Sequence, residues 1–187
     1  MPPFHAIVLA GGRASRLGGA DKLLVRVGGR TLLGLAVAAV EQAGRVVVVG
    51  PRRDEPLPRD VTWVREDPPF SGPAHAVAAG LDALEAAADD RILVLAGDLV
   101  HPDLVVEALL AGPGHRVGVD PDGHRQWGCS VVRAADLAAS IAATDTTGAP
   151  LRALIGPLDP TEVPLGAVAV ADLDTPDDLK EHADGHR

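Results

Sequence analysis

The apolar positions of this chain fall into two alternating patterns. Short unbroken apolar runs end in glycine or aspartate, and between them apolar residues recur every three or four positions. Phe4 to Ala10, Arg45 to Gly50, Val61 to Arg65 and Ile92 to Ala96 are runs of the first kind. Their length and continuity predict strands buried on both faces. Leu33, Val37 and Val40 predict a helix that Thr31 caps and Gly44 closes. Val77, Leu81 and Leu84 predict a helix from His75 to about Ala88, and Pro102 opens another that runs to Gly112. The second half is less regular. It predicts a turn at 120–123, a strand from Gln126 to Val132, short helices from Ala134 and Pro150, and a strand from Val163 to Val170. Thr175-Pro176 then reads as a final helix entry, and residues 51–60, rich in proline and charge, read as a surface loop. Strands alternating with helices predict a three-layer, Rossmann-like α/β fold with a mostly parallel sheet. With 187 residues and no long linker, a single domain over 1–187 is expected.

Composition sharpens this picture. Hydrophobic residues make up 47% of the chain and aromatic residues 2%, so the core must be built from Val, Leu, Ile and Ala. A net charge of −9 argues against a nucleic-acid partner but leaves room for a small anion held at a local cationic site. The single cysteine, Cys129, excludes an internal disulfide and a thiolate metal cluster and reads as a core residue. With no long apolar run and no basic leader, the expectation is a cytoplasmic protein without a membrane partner.

The candidate chemistry lies at strand ends, where open parallel sheets bind ligands. After the first strand come Gly11 and Gly12, then Arg13, Arg16 and Lys22 in a loop with further glycines. Successive backbone N–H groups and cations of this kind suit a polyphosphate. The loop is not a P-loop, because Leu23 follows Lys22, and not a dinucleotide fingerprint, because Gly11 and Gly12 are adjacent. Asp67 and Asp98 follow the third and fourth strands. Asp98 is a candidate Mg²⁺ ligand shared with substrate phosphates, or else a cap for the helix near Pro102. Asp174, after the last strand, either joins Asp98 on one cation or only opens the final helix. His75 lies near these loops without metal-ligand spacing.

Leu9-Ala-Gly-Gly-Arg-Ala-Ser-Arg-Leu-Gly-Gly-Ala-Asp-Lys22 resembles the signature L-A-G-G-x-S-x-R-M-G-x-D-K of the MobA-like nucleotidyltransferases, the family of molybdenum cofactor guanylyltransferases. Gly72-Pro73 with Gly80-Leu81, Gly97-Asp98-Leu99 and Asp172-Leu-Asp-Thr-Pro-Asp-Asp-Leu179 are similar to its later blocks, in order. The resemblance implies a glycosyltransferase-A-like fold and Mg²⁺-dependent transfer of a nucleoside monophosphate, GMP from GTP in the first instance, to molybdopterin. It further implies that Leu9, Ala10, Gly11 and Gly12 hold base and ribose through their backbone, and that Lys22 binds the phosphates. Arg16 would hold the departing pyrophosphate, Asp67 would stand near the nucleoside, Asp98 would bind Mg²⁺ and Asp174 would assist it. Partners would be the NTP, the phosphorylated acceptor and, transiently, cofactor-biosynthesis proteins. Ala14, Leu17, Ala74-His75, Leu99-Val100 and Asp174 depart from the signature, and these departures bear on base and acceptor more than on the reaction. CTP as donor, another phosphorylated acceptor, and a nucleotide-binding partner protein without turnover are the alternatives.

Overall fold

The computed structural model describes residues 3–11, 16–17 and 20–169, with the side chains of 16, 17 and 20 outside the description. Seven strands form one sheet: β1 (Phe4–Leu9), β2 (Val46–Val49), β3 (Thr62–Val64), β4 (Arg91–Ala96), β5 (Arg116–Val119), β6 (Arg125–Arg133) and β7 (Thr161–Pro164). Their spatial order is β7-β5-β6-β4-β1-β2-β3. β1 pairs in parallel with both β2 and β4, β2 with β3, and β5 with β7. Only β6 runs against its neighbours in this sheet.

The helices are α1 (Leu32–Ala39), α2 (Pro73–Leu84), α3 (Pro102–Leu110), α4 (Ala134–Ala142) and α5 (Arg152–Ile155). Successive strand residues face opposite sides, and the sheet therefore has two cores. Ala6, Val8, Val46, Val48, Leu93 and Leu95 pack with α1 and α3. Ile7, Val47, Ile92 and Val94 pack with α2, α4 and α5. This is the expected three-layer α/β architecture with a mostly parallel sheet.

Thr31 caps α1 as its sequence position implies, its hydroxyl accepting from the Gly34 amide at 3.0 Å. Four sequence expectations are corrected. α2 begins at Pro73 because proline presets the first helical φ, and it ends at Leu84 because Glu85 turns left-handed (φ 47°). α1 ends at Ala39, well before Gly44. The guanidinium of Arg59 donates to the carbonyls of Val40, Glu41 and Ala43 just beyond it, at 2.7 to 3.2 Å. The last described strand stops at Pro164 instead of continuing toward Val170, because its partner β5 ends at Val119, where the 120–123 turn begins. β5 itself is a four-residue strand that the sequence did not announce, its apolar run being broken by Gly118.

Two glycines allow the strand ends to come together. At Gly97 an added Cβ would lie 2.7 Å from the Leu9 carbonyl oxygen. At Gly50 (φ +151°) it would lie 2.4 Å from the Ala10 carbonyl oxygen, backbone against backbone. Gly123 has positive φ (+85°) with open space around it. Gly50→Ala should therefore cost about 2–3 kcal/mol or more in urea unfolding, and Gly123→Ala only about 1 kcal/mol. Equal losses would contradict a steric role for Gly50.

Candidate functional site

β1, β2, β3 and β4 end at the same edge of the sheet, and strand order changes direction around β1. Asp98 follows β4 here, and Lys22 arrives from the loop after β1. Lys22 Nζ lies 3.2 Å from Asp98 Oδ2, joining residues 76 positions apart. Lys22 is only 3% exposed, whereas the Asp98 side chain is 38% exposed. A buried ammonium needs an anionic partner, and the carboxylate keeps a solvent-facing side. Asp98 does not cap the next helix: His101 is the N-cap residue of α3, with no side-chain cap bond.

Lys22 is held by a local device. It opens a short 3₁₀ helix (Lys22–Leu24) capped by Asp21, whose Oδ1 accepts from the Leu23 amide at 3.1 Å. Arg53 clamps the same carboxylate, Nε to Oδ2 at 2.6 Å and Nη2 to Oδ1 at 3.2 Å. Its Nη1 donates to the carbonyls of Ala10 (2.9 Å) and Pro51 (3.1 Å). Arg53 is 9% exposed, so part of the loop expected at the surface is built into the site. Sequence reasoning missed this residue, because an arginine in a proline- and charge-rich stretch carries no local sign of burial.

Beside this charged half lies a cavity of about 310 Å³, lined by Leu9, Gly11, Val49, Glu66, Phe70, Gly72, Pro73 and Ala76. Leu9 joins the two halves: it lines the cavity, and its carbonyl accepts from the amide of Gly97, next to Asp98, at 3.0 Å. Within Leu9–Gly12, Ala10 is already committed, its N–H to the Val49 carbonyl (2.8 Å) and its C=O to Arg53. Gly11 is the residue at the end of β1 that lines the cavity and is exposed. Gly12 and Asp174 lie outside the described residues, and of Arg16 only the backbone is described, pairing antiparallel with Asp21.

The far wall follows β3. Asp67 is exposed and does not line the cavity, while its neighbour Glu66 is 7% exposed and does. His75 braces this wall from behind, with Nδ1 2.8 Å from Thr146 Oγ1 and Nε2 3.2 Å from the Asp67 carbonyl oxygen. The Gly148 amide donates to the Ser71 carbonyl at 2.6 Å.

Two other groups resolve simply. Asp120, Asp122 and His124 bring ligand atoms within 4.8 Å of one another, on the hairpin turn two strands beyond β4. Asp120 spends its Oδ1 on the amides of Asp122 (3.0 Å) and His124 (2.8 Å), building that turn. Cys129 is a core residue as expected, 2% exposed, and burial pushes its thiol up from 9.0 to about 12.

Arg53→Ala should lower stability by about 1.5–3 kcal/mol in urea unfolding, since it frees the charged Asp21 and two carbonyls. Arg53→Lys should fail to restore that loss, because an ammonium cannot reproduce the fork on Asp21; full recovery would refute the bidentate role. The folded protein should resist thiol-specific labelling at pH 8 and react at Cys129 once unfolded. Because the folded-state thiol titrates above the unfolded one, its contribution is complete below about pH 9 and declines as pH rises toward about 12.

Comparison with known proteins follows the same geometry. A molybdenum cofactor guanylyltransferase from Rhodopseudomonas palustris (strain HaA2) is 43% identical over 84 residues, which is 43% of this chain and 39% of that protein's length. Among solved structures, a nucleotidyl transferase from Methanothermobacter thermautotroptrophicus superposes with a TM-score of 0.71 at 20% identity, covering 98% of this chain and 97% of the other. The inositol-1-phosphate CTP transferase from T. maritima also gives 0.71, at 16% identity and with coverage of 98% and 97%. At those identities the structures establish the fold alone. Residues 6–161 match the MobA-like NTP transferase domain, and the chain belongs to that family.

Proposed function

We propose that this protein transfers a nucleoside monophosphate, GMP from GTP, to a phosphorylated acceptor of the molybdopterin class and releases pyrophosphate. The observation that carries this reading is the Lys22–Asp98 pair, set at the strand ends next to a cavity of nucleoside size. The named guanylyltransferase relative supports the choice of base and acceptor.

An oxygen of the acceptor phosphate attacks the α-phosphorus of the NTP. A new P–O bond forms as the α–β bridge breaks, and its electron pair leaves with pyrophosphate. No protein nucleophile is required, so the chain contributes positioning and charge stabilisation. Lys22, pre-oriented by Asp21 and Arg53, offers an ammonium to the phosphates. Arg16 is the residue expected to steady the pyrophosphate. Gly11, without a side chain, lets the nucleoside approach the end of β1; Leu9, Ala10 and Gly12 are the other residues expected to hold base and ribose, and Asp67 is expected near the nucleoside.

Asp98 fits a magnesium ion by donor chemistry: a hard oxygen ligand, 38% exposed, beside a site for triphosphate oxygens. Asp174 is the second carboxylate expected there. When bound, the ion supplies positive charge that offsets the triphosphate. Among the described residues no helix is long and apolar enough to cross a membrane. The acidic net charge of −9 favours neither nucleic acid nor an anionic lipid surface. The reading is thus of a cytoplasmic enzyme whose contacts with other cofactor-biosynthesis proteins are transient.

With Mg²⁺, GTP and molybdopterin, wild-type protein should release pyrophosphate, and Asp98→Ala should lower kcat by roughly 10²–10³-fold with an unchanged circular dichroism spectrum. Lys22→Ala should weaken GTP binding by about tenfold or more in calorimetry. Wild-type turnover in Asp98→Ala, or undiminished affinity in Lys22→Ala, would overturn these roles.

A further inference from the structure

The same fold carries a protein titled a CTP transferase, so the fold alone does not choose the base and the groups lining this particular cavity are where a choice can be made. We infer that Glu66 is the guanine-reading residue, its carboxylate accepting from N1–H and the 2-amino group while Phe70 presents its ring to the base. This rests on the nucleotidyltransferase reading of the site and deepens it.

Leu9, Val49, Pro73 and Ala76 give the cavity apolar walls, and among the described residues Glu66 is the ionisable side chain that lines it. Glu66 is 7% exposed, and its Oε1 accepts from the Phe70 amide at 3.0 Å. A carboxylate carries about four acceptor sites, so one backbone bond leaves acceptor capacity toward the cavity. A buried anion is costly unless hydrogen-bonded, and a ligand with two adjacent N–H donors would repay that cost.

Among the common bases only guanine presents two adjacent donors on its Watson–Crick edge. Adenine and cytosine each place a ring-nitrogen acceptor beside the amino group, which would face the carboxylate. Uracil flanks its single N–H with carbonyls. An acceptor-only group at this position therefore selects guanine.

The bond from Glu66 to the Phe70 amide also fixes the aromatic side of the cavity. Phe70 has φ +68°, a conformation rare for bulky residues and one that clusters at ligand sites. Phe70 is 53% exposed and lines the cavity, and the Arg65 guanidinium lies 5.3 Å from its ring centroid. A planar base against such a ring gains stacking that does not depend on base identity. Glu66 thus supplies discrimination, and Phe70 supplies affinity.

Calorimetric binding of GTP, ITP, XTP and CTP, each with Mg²⁺, tests this without an acceptor. ITP lacks the 2-amino group, and XTP replaces it with a carbonyl. Wild-type protein should bind GTP about tenfold or more tighter than ITP and should discriminate further against XTP and CTP. Glu66→Gln keeps an oxygen for the Phe70 amide and places an amide donor opposite the 2-carbonyl of xanthine. It should reverse the preference from GTP to XTP. Phe70→Ala should weaken all four by a similar factor. Equal wild-type affinity for GTP and ITP, or an unchanged GTP-to-XTP ratio in Glu66→Gln, would overturn the assignment while leaving nucleotidyl transfer intact. Failure of the wild type to bind any of the four would overturn the nucleotidyltransferase reading itself. An XTP-preferring Glu66→Gln that remains folded excludes a purely structural role, because loss of structure cannot create a new preference.

Discussion

The charged half of this site depends on how one buried arginine distributes its donors. Arg53 leaves the loop after β2, reaches the Ala10 carbonyl just beyond β1, and grips both oxygens of Asp21. Three segments distant in sequence are thereby fixed around a planar group with five N–H donors. Asp21 in turn caps the short helix that begins at Lys22. A lysine stem has several rotatable bonds and would otherwise spend entropy to find one geometry. With its backbone anchored at Asp21 and its ammonium on Asp98, that cost is met before any ligand arrives.

The apolar half follows from a different constraint. Parallel strands place all their carboxyl ends at one edge, and β1 lies between β2 and β4. The chain leaves β2 and β3 on one side of β1 and returns through α2 on the other. The gap so formed is walled by Leu9, Val49 and the start of α2. Glycine at 50 and 97 lets the strand ends close to backbone contact distance. The two halves meet at Leu9, which lines the cavity and accepts from the amide next to Asp98. Rigid sheet edges hold such constellations better than loops alone, because side-chain and backbone bonds lock each strand end to its neighbour.

The loops that look dispensable in the sequence are the ones that finish the structure. Arg59 covers the carbonyls beyond α1, and Arg53 completes the turn beyond β1. His75, with Thr146 and the Gly148–Ser71 bond, holds the wall that carries Glu66 and Phe70. Each is a polar side chain or backbone group meeting a partner far along the chain, and such pairings leave no periodic trace.

By itself the sequence determined the layers of the fold, because buried parallel strands and amphipathic helices each impose a period on the apolar residues. It also marked Gly11, Lys22 and Asp98 as candidates, because glycine, cation and carboxylate at strand ends are unusual where apolar burial is otherwise the rule; the structure pairs the last two and sets Gly11 on the cavity. It did not announce β5, a strand too short and too interrupted by Gly118 to carry a pattern. Nor could it separate Glu66 from Asp67: the two are adjacent, both acidic, and both follow β3. Only the tertiary structure buries the first in the cavity and leaves the second exposed. The same holds for Arg53, whose burial depends on where Ala10 and Asp21 arrive in space. Periodicity is a local property of the chain, but the choice of which charged group is desolvated belongs to contacts between distant segments.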